Sequence, residues 1–476
     1  MTTLTRSIRI LIALIFVACL LPGSAQALPQ ASTTERVSVA SDGTEGNNHS
    51  DSPAISGNGR FVAFHSYADN LVEGDSNGIV DVFVHDRQTG ETTRVSISSD
   101  GEQASGCQSE YPDISATGRY VAFNSCAANL VDNDTNEFVD IFVHDSWTGE
   151  TVRVSVASDG SEANGSSHNA WISGDGRYVA FESLASNLVE GDTNGKLDAF
   201  VHDRQTGETT LVSVASDGTP GNEVSASPSL SYAGRYVAFE SLANNLVEGD
   251  ANGVLDIFVH DQQTGITIIV SVASDGTQAN QSSWMPAISA DGNMVAFETN
   301  ASNLVEGDTN NVCDTNYDGI YTDNCWDVFV HDWLSGETTR VSVASDSSQA
   351  TDSSFLPAIS GDGRYVTFYS YANDLVSGDT NLCDHDGDGD YDDNCTDVFV
   401  HDRTTGVTSR ISVASDGTQG NADSYVGVIS SDGEYVAFTS NTSNLVAGDL
   451  GGWADVFVHG NTPWQAFAIW LPLAVK

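Results

Sequence analysis

The segment I-S-G-D-G-R-Y-V-A-F, at residues 172–181, recurs along the 476-residue chain. It returns as I-S-G-N-G-R-F-V-A-F at 55–64 and I-S-A-T-G-R-Y-V-A-F at 114–123, and related copies begin at 230, 288, 359 and 429. The glycine at its fifth position recurs at steps of 59, 58, 58, 58, 71 and 70 residues. Seven copies at such a period predict a solenoid or a propeller.

Each copy contains four short segments that are typical of β-strands. In the first copy they are strand A (P-A-I-S), strand B (R-F-V-A-F), strand C (D-V-F-V-H-D) and strand D (T-T-R-V-S-I). β-Branched and aromatic residues fill these segments, and Gly, Asn and Asp turns separate them. No window has a convincing helical period. Each copy therefore predicts a four-stranded antiparallel sheet.

The two ends of the repeat distinguish an open array from a closed ring. The seventh copy stops after strand C, at residues 455–459, and no strand D follows it. An orphan strand D, T-T-E-R-V-S-V, lies instead at residues 33–39. The sequence therefore predicts an all-β fold, a seven-bladed β-propeller of four-stranded antiparallel blades in which the N-terminal strand completes the last blade.

The motifs S-x-D-G-R-Y-V-A-F, D-V-F-V-H-D and T-G-E-T resemble the TolB-like, WD-repeat-like β-propeller units of exported bacterial proteins. The resemblance covers roughly residues 33–460. It implies a propeller fold and an extracytoplasmic setting, but no particular activity, because propellers host many functions. TolB also has a separate N-terminal domain for which we expect no counterpart here, so a role in the Tol envelope machinery is not implied.

The first residues predict export. Arg6 and Arg9 precede an apolar run at 10–21, and Ala25-Gln26-Ala27 is a small-x-small cleavage site. We expect residues 1–27 to be a secretory signal peptide, 28–460 to be the propeller and 461–476 to be an apolar C-terminal tail. The tail is too short to span a membrane, and it either packs across the ring or acts as a surface-retention signal. The expected location is periplasmic, cell-surface or secreted, without a transmembrane segment.

The charge of the chain limits its partners. It has 66 acidic and 17 basic residues and a formal net charge of −49. Such a surface repels nucleic acid and anionic lipid, so we expect neither as a partner. It suits cation binding or a salt-rich environment, and composition does not distinguish the two. The oligomeric state stays open, with a monomer as the expectation.

A histidine recurs in strand C of every copy, in the motif F-V-H-D or F-V-H-G. A single active site does not need seven such groups, so we interpret them as hydrogen-bonding partners within each blade. The seven histidines are His85, His144, His202, His260, His331, His401 and His459.

The segment between strands B and C repeats as N-L-V-x-G-D-T-N-G-x-x-D. Oxygen ligands at alternate positions can hold Ca²⁺, but three are few for an ion that takes six to eight. Asx turns that satisfy loop amides are the favoured alternative. The residues are Asp75/Asn77/Asp81, Asp134/Asn136/Asp140, Asp192/Asn194/Asp198 and Asp250/Asn252/Asp256.

The fifth and sixth copies carry insertions in this segment, at 311–326 and 382–396. Each insertion holds a D-x-[DN]-x-D-G pattern between two cysteines. Its carboxylates repel one another in an isolated loop and become favourable around Ca²⁺. The predicted ligands, with carbonyl oxygens from Asp390 and Ile320, are Asp384, Asp386, Asp388, Asp390, Asp392 and Asp393 in one loop and Asp314, Asn316, Asp318, Ile320, Thr322 and Asp323 in the other.

These two loops are not EF-hands, because cysteine replaces the glutamate at position 12 and helical flanks are absent. They resemble the D-x-D-x-D-G…D-N-C loops of thrombospondin type 3 repeats. That local resemblance implies calcium, with Asp323 or Asp393 as the late carboxylate. The alternative is a solvated acidic loop.

Six cysteines follow the signal segment, an even number that favours disulfides in an exported protein. Cys313/Cys325 and Cys383/Cys395 have the same spacing, which favours a bond within each loop, although crossed pairing stays possible. Cys107 precedes strand A of the second copy and Cys126 follows its strand B, so both lie on one face and can form a third bond.

Two positions of strand A vary sharply in an otherwise uniform repeat. One lies four residues before the final apolar residue, and the other lies immediately before it. We expect these side chains to face the same mouth of the ring as the calcium loops, with a polar arc in blades 1 to 3 and an aromatic arc in blades 5 to 7. Drift in unconstrained loops is the alternative. The candidate binding residues are Asp51, Glu110, Asp113, His168, Trp171, Trp284, Phe355 and Tyr425.

Two classes of function remain. The first is a non-enzymatic exported scaffold, rigidified by Ca²⁺, that binds a protein, peptide or glycan on its loop-bearing face. The second is a hydrolase or lyase that acts on polysaccharide or peptide, with acid and base groups drawn from the polar arc. The sequence has no nucleophile elbow, zinc motif or phosphate loop, which favours binding over catalysis.

Overall fold

The computed structural model describes residues 32–310, 313, 324–383, 393–449 and 451–460. Within these ranges the regular structure is entirely β: seven four-stranded antiparallel sheets and one two-stranded hairpin. No helix among the described residues is long and apolar enough to cross a membrane. The expected signal peptide, the expected C-terminal tail and the expected calcium ligands other than Asp393 lie outside the described residues.

The strands follow the repeat, with strands A to D of each blade in chain order. The first strand among the described residues is β1 (Thr33–Arg36). Blades 1 to 3 contain β2 (Ser50–Ile55), β3 (Phe61–Ser66), β4 (Asp81–Asp86) and β5 (Glu91–Arg94); β6 (Ser109–Ile114), β7 (Tyr120–Ser125), β8 (Asp140–Asp145) and β9 (Glu150–Arg153); and β10 (Ser167–Ile172), β11 (Tyr178–Ser183), β12 (Asp198–Asp203) and β13 (Glu208–Leu211).

Blades 4 to 7 continue the order. They contain β14 (Ser225–Leu230), β15 (Tyr236–Ser241), β16 (Asp256–Asp261) and β17 (Ile266–Ile269); β18 (Ser283–Ile288), β19 (Met294–Thr299), β20 (Asp327–Asp332) and β21 (Glu337–Arg340); β22 (Ser354–Ile359), β23 (Tyr365–Ser370), the hairpin β24 (Leu382–Cys383) and β25 (Asp393–Asn394), β26 (Asp397–Asp402) and β27 (Val407–Arg410); and β28 (Ser424–Ile429), β29 (Tyr435–Ser440) and β30 (Asp455–Gly460).

Blade 7 closes the ring. Its sheet has the order β28-β29-β30-β1, so the first strand of the chain pairs antiparallel with the last. The register aligns Thr34 with His459 and Arg36 with Phe457. The predicted seven-bladed fold, including closure by the N-terminal strand, is confirmed.

Strands B and C are apolar because each blade is packed between two neighbours. Residues 62–66 of β3 and 81–85 of β4 are all buried, so these strands do not alternate between a core side and a solvent side. A stacked phenylalanine pair joins the two strands in every blade, with ring centroids 5.8–6.2 Å apart, as in Phe64 and Phe83. This pair explains why F recurs in both V-A-F and V-F-V.

Packing against the neighbouring blade requires a glycine in the A–B turn. Gly59 has φ of 70°, and a Cβ at this position would lie 2.2 Å from the ring of Tyr435 in blade 7. Only glycine accepts both this backbone conformation and the close approach of the ring. Gly118 meets Phe61 in the same way, and Gly363 meets Met294, so the glycine of this turn packs against the side chain that begins strand B of the preceding blade.

Candidate functional site

One mouth of the ring is formed where strand A begins and strand B ends. The backbone N–H of Tyr67, which follows strand B, donates to the carbonyl of His49 at 2.9 Å, and the same bond recurs in other blades. The B–C segments, including both insertions, leave the sheet at this end. The structure therefore places the start of strand A on the face that carries the loops.

Strand A has a β-bulge at this mouth in every blade. In blade 1 the register with strand B shifts between Asp51 and Ala54, and Ser52 adopts a left-handed conformation with φ of 51°. A bulge re-aims side chains, and bulges are frequent beside functional sites. The equivalent left-handed residues are Tyr111, Asn169, Ser227, Met285, Leu356 and Val426.

The first variable position of strand A lies opposite a second variable position, which sequence reasoning missed. This is the residue between F and S/T at the end of strand B. Its variation among otherwise uniform copies was the signal that could have revealed it. The opposed pairs are Asp51–His65, Glu110–Asn124, His168–Glu182, Ala226–Glu240, Trp284–Glu298, Phe355–Tyr369 and Tyr425–Thr439.

Three of these residues form a row of buried glutamates in blades 3 to 5. Each accepts a hydrogen bond through Oε2 from the bulge N–H of the following blade. The donors are Ser227 to Glu182 at 2.9 Å, Met285 to Glu240 at 2.8 Å and Leu356 to Glu298 at 2.5 Å. Burial raises the pKa of all three carboxyl groups, to about 7 for Glu240 and Glu298.

In the polar arc, side-chain hydrogen bonds and a ring contact join neighbouring blades. Asp51 accepts a hydrogen bond from Thr439 Oγ1 in blade 7 at 2.8 Å. The Tyr111 N–H donates to His65 Nδ1 at 3.4 Å, and the two rings meet edge to face with centroids 5.5 Å apart. Burial lowers the pKa of His65, although the Asp51 charge opposes the shift. Burial raises the pKa of Glu110.

The carboxylate of Asp113 joins two blades. Its carboxylate accepts backbone hydrogen bonds from Ile114 at 2.9 Å and from Ile172 of blade 3 at 2.6 Å. Burial raises its pKa to about 7, against these bonds. Among the described residues, no hydrogen bond joins any two of Asp51, Glu110, Asp113 and His168. An acid–base role for these four residues stays a prediction.

The aromatic arc is partly a packed cluster. Phe355 contacts Tyr369, Tyr371 and Trp326, with ring centroids 5.5, 6.3 and 6.1 Å away. Trp326 directly follows Cys325, so the cluster adjoins the insertion of blade 5. Burial, with a smaller effect of the Asp51 charge, raises the pKa of Tyr425 to about 12. These ring contacts place Phe355 within the wall of the mouth.

Other large apolar side chains at the mouth are open to solvent. We call the following set the apolar rim; its members are 38–56% exposed and occupy strand A or the residue after strand B. They are Tyr67, Tyr111, Leu184, Leu242, Trp284 and Met285. Trp171 is also 38% exposed and lies farther along its strand, next to Ile172.

The opposite end of the axial channel is a small opening lined by both polar groups and apolar side chains. Backbone hydrogen bonds join consecutive blades at six junctions; examples are Gly57 N–H to Ala116 at 3.0 Å and Gly361 N–H to Ser431 at 2.9 Å. The apolar residues that line this end are Ile55, Ile114, Leu230, Ile288, Ile359 and Ile429.

The seven strand C histidines are structural, as their repetition predicted. Each Nδ1 lies 2.7–2.9 Å from the hydroxyl of a strand D threonine in the same blade, as in His85 and Thr92. That hydroxyl donates to a carbonyl of the preceding blade, Val39 in this case, at 2.5 Å. Because a hydroxyl has one hydrogen, the imidazole Nδ1 must be the donor in the histidine–threonine bond.

Three disulfides are present: Cys107–Cys126, Cys313–Cys325 and Cys383–Cys395. The last two are bonded within their own insertions rather than crossed. Asp352 and Asp423 each have a carboxylate oxygen within 4.8 Å of one of these pairs, a distance that fits a metal ion. Disulfide sulfur is not the thiolate that binds metals, so only the carboxylates remain as ligands. Asp393, in β25, pairs with Cys383 at the base of its loop.

The B–C aspartates of blade 1 are held by an arginine. Arg94 Nη1 lies 3.0 Å from Asp75 Oδ1 and 3.4 Å from Asp81 Oδ2. Asn77 donates to Asp81 at 2.7 Å and accepts from the Ile79 N–H at 3.1 Å, which is an Asx turn. In this blade the contacts match the favoured turn interpretation.

Comparison with known proteins supports the fold. No protein-family profile and no curated protein sequence matches this chain. Among solved structures, it is similar to an oligogalacturonate lyase in complex with manganese, at 11% identity and TM-score 0.52, over 91% of this chain and 98% of that one. At this identity the likeness shows the propeller architecture alone.

Two further structures are more distant. TolB from Acinetobacter baumannii matches at 17% identity and TM-score 0.36 over 62% of this chain, which spans about half (54%) of that protein. The β-propeller domain of the Trilobed protease from Pyrococcus furiosus matches at 12% identity and TM-score 0.49, over 88% of this chain and 99% of that one.

Proposed function

We propose that this chain is an exported, non-enzymatic propeller that binds a protein, peptide or glycan ligand at its loop-bearing mouth. The observation that carries the proposal is the apolar rim, six exposed side chains on one end of a rigid ring. Several large apolar side chains exposed on one end of a protein can mark an interaction site. Loops on a rigid scaffold are a usual place for binding residues. The three disulfides are compatible with export.

The chemistry of the mouth restricts the classes of ligand that it can bind. Exposed Trp284 and Tyr111 offer flat apolar faces, which suit a sugar ring or an apolar peptide side chain. Asp51 and Glu110 add carboxylates on the polar side, and the chain has a formal charge of −49. This charge favours neutral or basic ligands over acidic ones.

We also propose that Ca²⁺ binds in the loops 313–325 and 383–395 and stiffens this face. A disulfide joins the ends of each loop, and the β24–β25 hairpin closes the second one. Asp352 and Asp423 lie beside the two disulfides and can add a carboxylate to each site. The loop 313–325 adjoins the mouth through Trp326, so a bound ion in this loop would hold the Phe355 cluster in place.

The binding proposal is tested by screening the mature chain on glycan arrays and peptide libraries. The test variant is Trp284→Ala/Met285→Ala, on the apolar rim. The matched control is Trp147→Ala/Leu334→Ala, which removes two exposed apolar side chains from the C–D hairpins at the opposite end of the ring. We expect the rim variant to lose binding at least about tenfold while the control retains it. Equal binding by both variants would contradict the proposal.

A hydrolase or lyase is the second candidate function, and the glutamate row favours it. Carboxyl groups with a pKa of about 7, such as those of Glu240 and Glu298, are suited to general acid–base chemistry near neutral pH. Turnover of a polysaccharide or peptide panel that disappears in Glu240→Gln or Glu298→Gln would support catalysis. Loss of turnover in His168→Ala or Glu110→Gln would locate the chemistry in the polar arc instead.

A further inference from the structure

In five blades an arginine bridges two B–C aspartates. The guanidinium Nη1 lies 3.0–3.3 Å from Oδ1 of the first aspartate and 3.2–3.4 Å from Oδ2 of the second. The arginine comes from strand D or, in blade 7, from β1. The groups are Arg94 with Asp75 and Asp81, Arg153 with Asp134 and Asp140, Arg340 with Asp308 and Asp327, Arg410 with Asp379 and Asp397, and Arg36 with Asp449 and Asp455.

Blades 3 and 4 keep both aspartates and lose the arginine. Leu211 and Ile269 occupy the arginine position, at the ends of β13 and β17. The Oδ1 atoms of Asp192 and Asp250, which would face the guanidinium, have no hydrogen-bond partner among the described residues. Asp192 is only 7% exposed. A buried carboxylate oxygen without a partner is strongly unfavourable, and here a second carboxylate lies beside it.

No neighbouring basic side chain takes the place of the arginine in blade 3. Lys196 belongs to the same B–C segment, but its Nζ is paired with Glu223 Oε2 at 2.7 Å. The second aspartate, Asp198, accepts from Ser213 Oγ at 2.8 Å and from Asn194 Nδ2 at 2.7 Å. These neutral donors leave the negative charge of the aspartate pair uncompensated.

The surrounding groups supply further oxygen atoms. In blade 6, Arg410 also donates to the carbonyl of Gly378 at 3.4 Å, and Gly191 and Gly249 hold the equivalent positions in blades 3 and 4. A cleft of about 860 Å³ lies beside the blade 4 pair and is lined by Gly249 and Ile269. Two carboxylates, a backbone carbonyl and access for water form an all-oxygen donor set, which suits a hard cation such as Ca²⁺. In blade 4 the Gly249 carbonyl also accepts from Gln278 Nε2 at 3.3 Å, so the two carboxylates are the main ligands there.

We propose that blades 3 and 4 each bind a divalent cation, Ca²⁺ in an exported protein, between Asp192 and Asp198 and between Asp250 and Asp256. The ion takes the place that the arginine guanidinium occupies in the other five blades. Two carboxylates balance a divalent charge, and the shorter Leu211 and Ile269 side chains leave room for the ion and its water ligands. This inference is independent of the ligand-binding function and of the two inserted loops.

The test counts Ca²⁺ ions bound per mature, disulfide-intact chain by calorimetric titration and by elemental analysis after gel filtration. The background variant Asp314→Ala/Asp318→Ala/Asp384→Ala/Asp386→Ala removes the expected loop sites. On it, Leu211→Arg/Ile269→Arg supplies the missing guanidinium groups, and Asp192→Asn/Asp250→Asn removes one carboxylate from each pair. We expect both variants to bind two fewer ions, and the arginine variant to melt at a temperature that no longer depends on Ca²⁺.

A reciprocal variant keeps the proposal falsifiable if the added arginines prevent folding. Arg94→Leu in blade 1 leaves Asp75 and Asp81 as blades 3 and 4 have them, so it is expected to gain one bound ion. An unchanged ion count in the Asp192→Asn/Asp250→Asn variant would overturn the proposal. Complete competition by Na⁺ at equal concentration would overturn the assignment to a divalent ion.

Discussion

Thr34 Oγ1 lies 2.7 Å from His459 Nδ1, although 425 residues separate them in the chain. The same hydroxyl is 2.5 Å from the carbonyl oxygen of Val413 in blade 6 and donates to it. One buried side chain therefore joins the first strand to the last strand of blade 7 and also to the neighbouring blade. The closure of the ring repeats the contact that Thr92 makes in blade 1.

Replacing Thr34 should weaken this closure specifically. Thr34→Val keeps the shape of the side chain and removes both hydrogen bonds, leaving the His459 Nδ1–H without its partner. We expect the free energy of unfolding, measured in urea, to fall by about 1–3 kcal/mol. Thr33→Val, at an exposed position of the same strand, is the control and should change little. An equal loss in both variants would mean that the hydrogen bonds are not the cause.

The fold could be predicted because the repeat defines both the strands of each blade and the way in which the ring closes. The period, the strand lengths and the orphan strand D at 33–39 all follow from one sequence. The pairing of Thr34 with His459 then has no competing partner, since blade 7 is the blade that lacks a strand D. Local patterns determine such a fold because each blade contacts only its neighbours.

The site could be predicted only in part. The varying positions of strand A were visible, but their partners on strand B, such as Glu240 and Glu298, were not recognised. Sequence variation alone does not show that a bulge brings the N–H of one blade to a carboxylate of the previous one. For the same reason, the T-T-R motif did not reveal that Arg94 reaches Asp75 across the blade.

The glutamate row should make stability depend on pH. Burial raises the folded-state pKa of Glu240 and Glu298 to about 7, above the value of about 4.5 expected when unfolded. Their contribution to the free energy of unfolding is therefore fully present below about pH 4.5 and is lost as the pH rises through 7. Between pH 5.5 and pH 8.5, the free energy of unfolding of Glu298→Gln should rise by about 1–3 kcal/mol relative to that of the wild type.

The control for this prediction is Glu208→Gln, at an exposed residue that begins β13. It should show the same difference from the wild type at both pH values. A constant offset for Glu298→Gln would show that the carboxyl group does not titrate between pH 5.5 and 8.5, and would contradict the raised pKa.

The strand C histidines should make stability depend on pH in the opposite direction. Burial lowers the folded-state pKa of His202 to about 4, below its unfolded value of about 6.5. Its contribution is present above pH 6.5 and is lost as the pH falls towards 4, because the unfolded state takes up the proton first. Between pH 7 and pH 4.5, the free energy of unfolding of His202→Gln should therefore fall by about 1–2 kcal/mol less than that of the wild type. Parallel pH profiles would argue against this cause.

The disulfide between Cys107 and Cys126 should stabilise blade 2. It joins the start of strand A to the residue after strand B, across 19 residues. In the chain-entropy account, closing a loop of this length contributes about 3 kcal/mol. Cys107→Ser/Cys126→Ser should lower the free energy of unfolding by that order without altering the calcium count. A concurrent loss of bound calcium would mean that this bond also supports a metal site.

Calcium should stabilise the mature chain after chelator treatment, and the two kinds of predicted site should be separable. We expect four bound ions: two in the loops 313–325 and 383–395, and two between the aspartate pairs of blades 3 and 4. Asp384→Ala/Asp386→Ala should remove one ion and reduce the calcium-dependent rise in melting temperature. Asp217→Ala/Asp275→Ala removes two exposed aspartates whose hydrogen bonds come from the turn residues Thr219 and Thr277, and it controls for the change in net charge. An equal reduction in this control would indicate nonspecific screening of the acidic surface.

A total of two ions that persists in Asp384→Ala/Asp386→Ala/Asp314→Ala/Asp318→Ala would place calcium in the blades rather than in the loops.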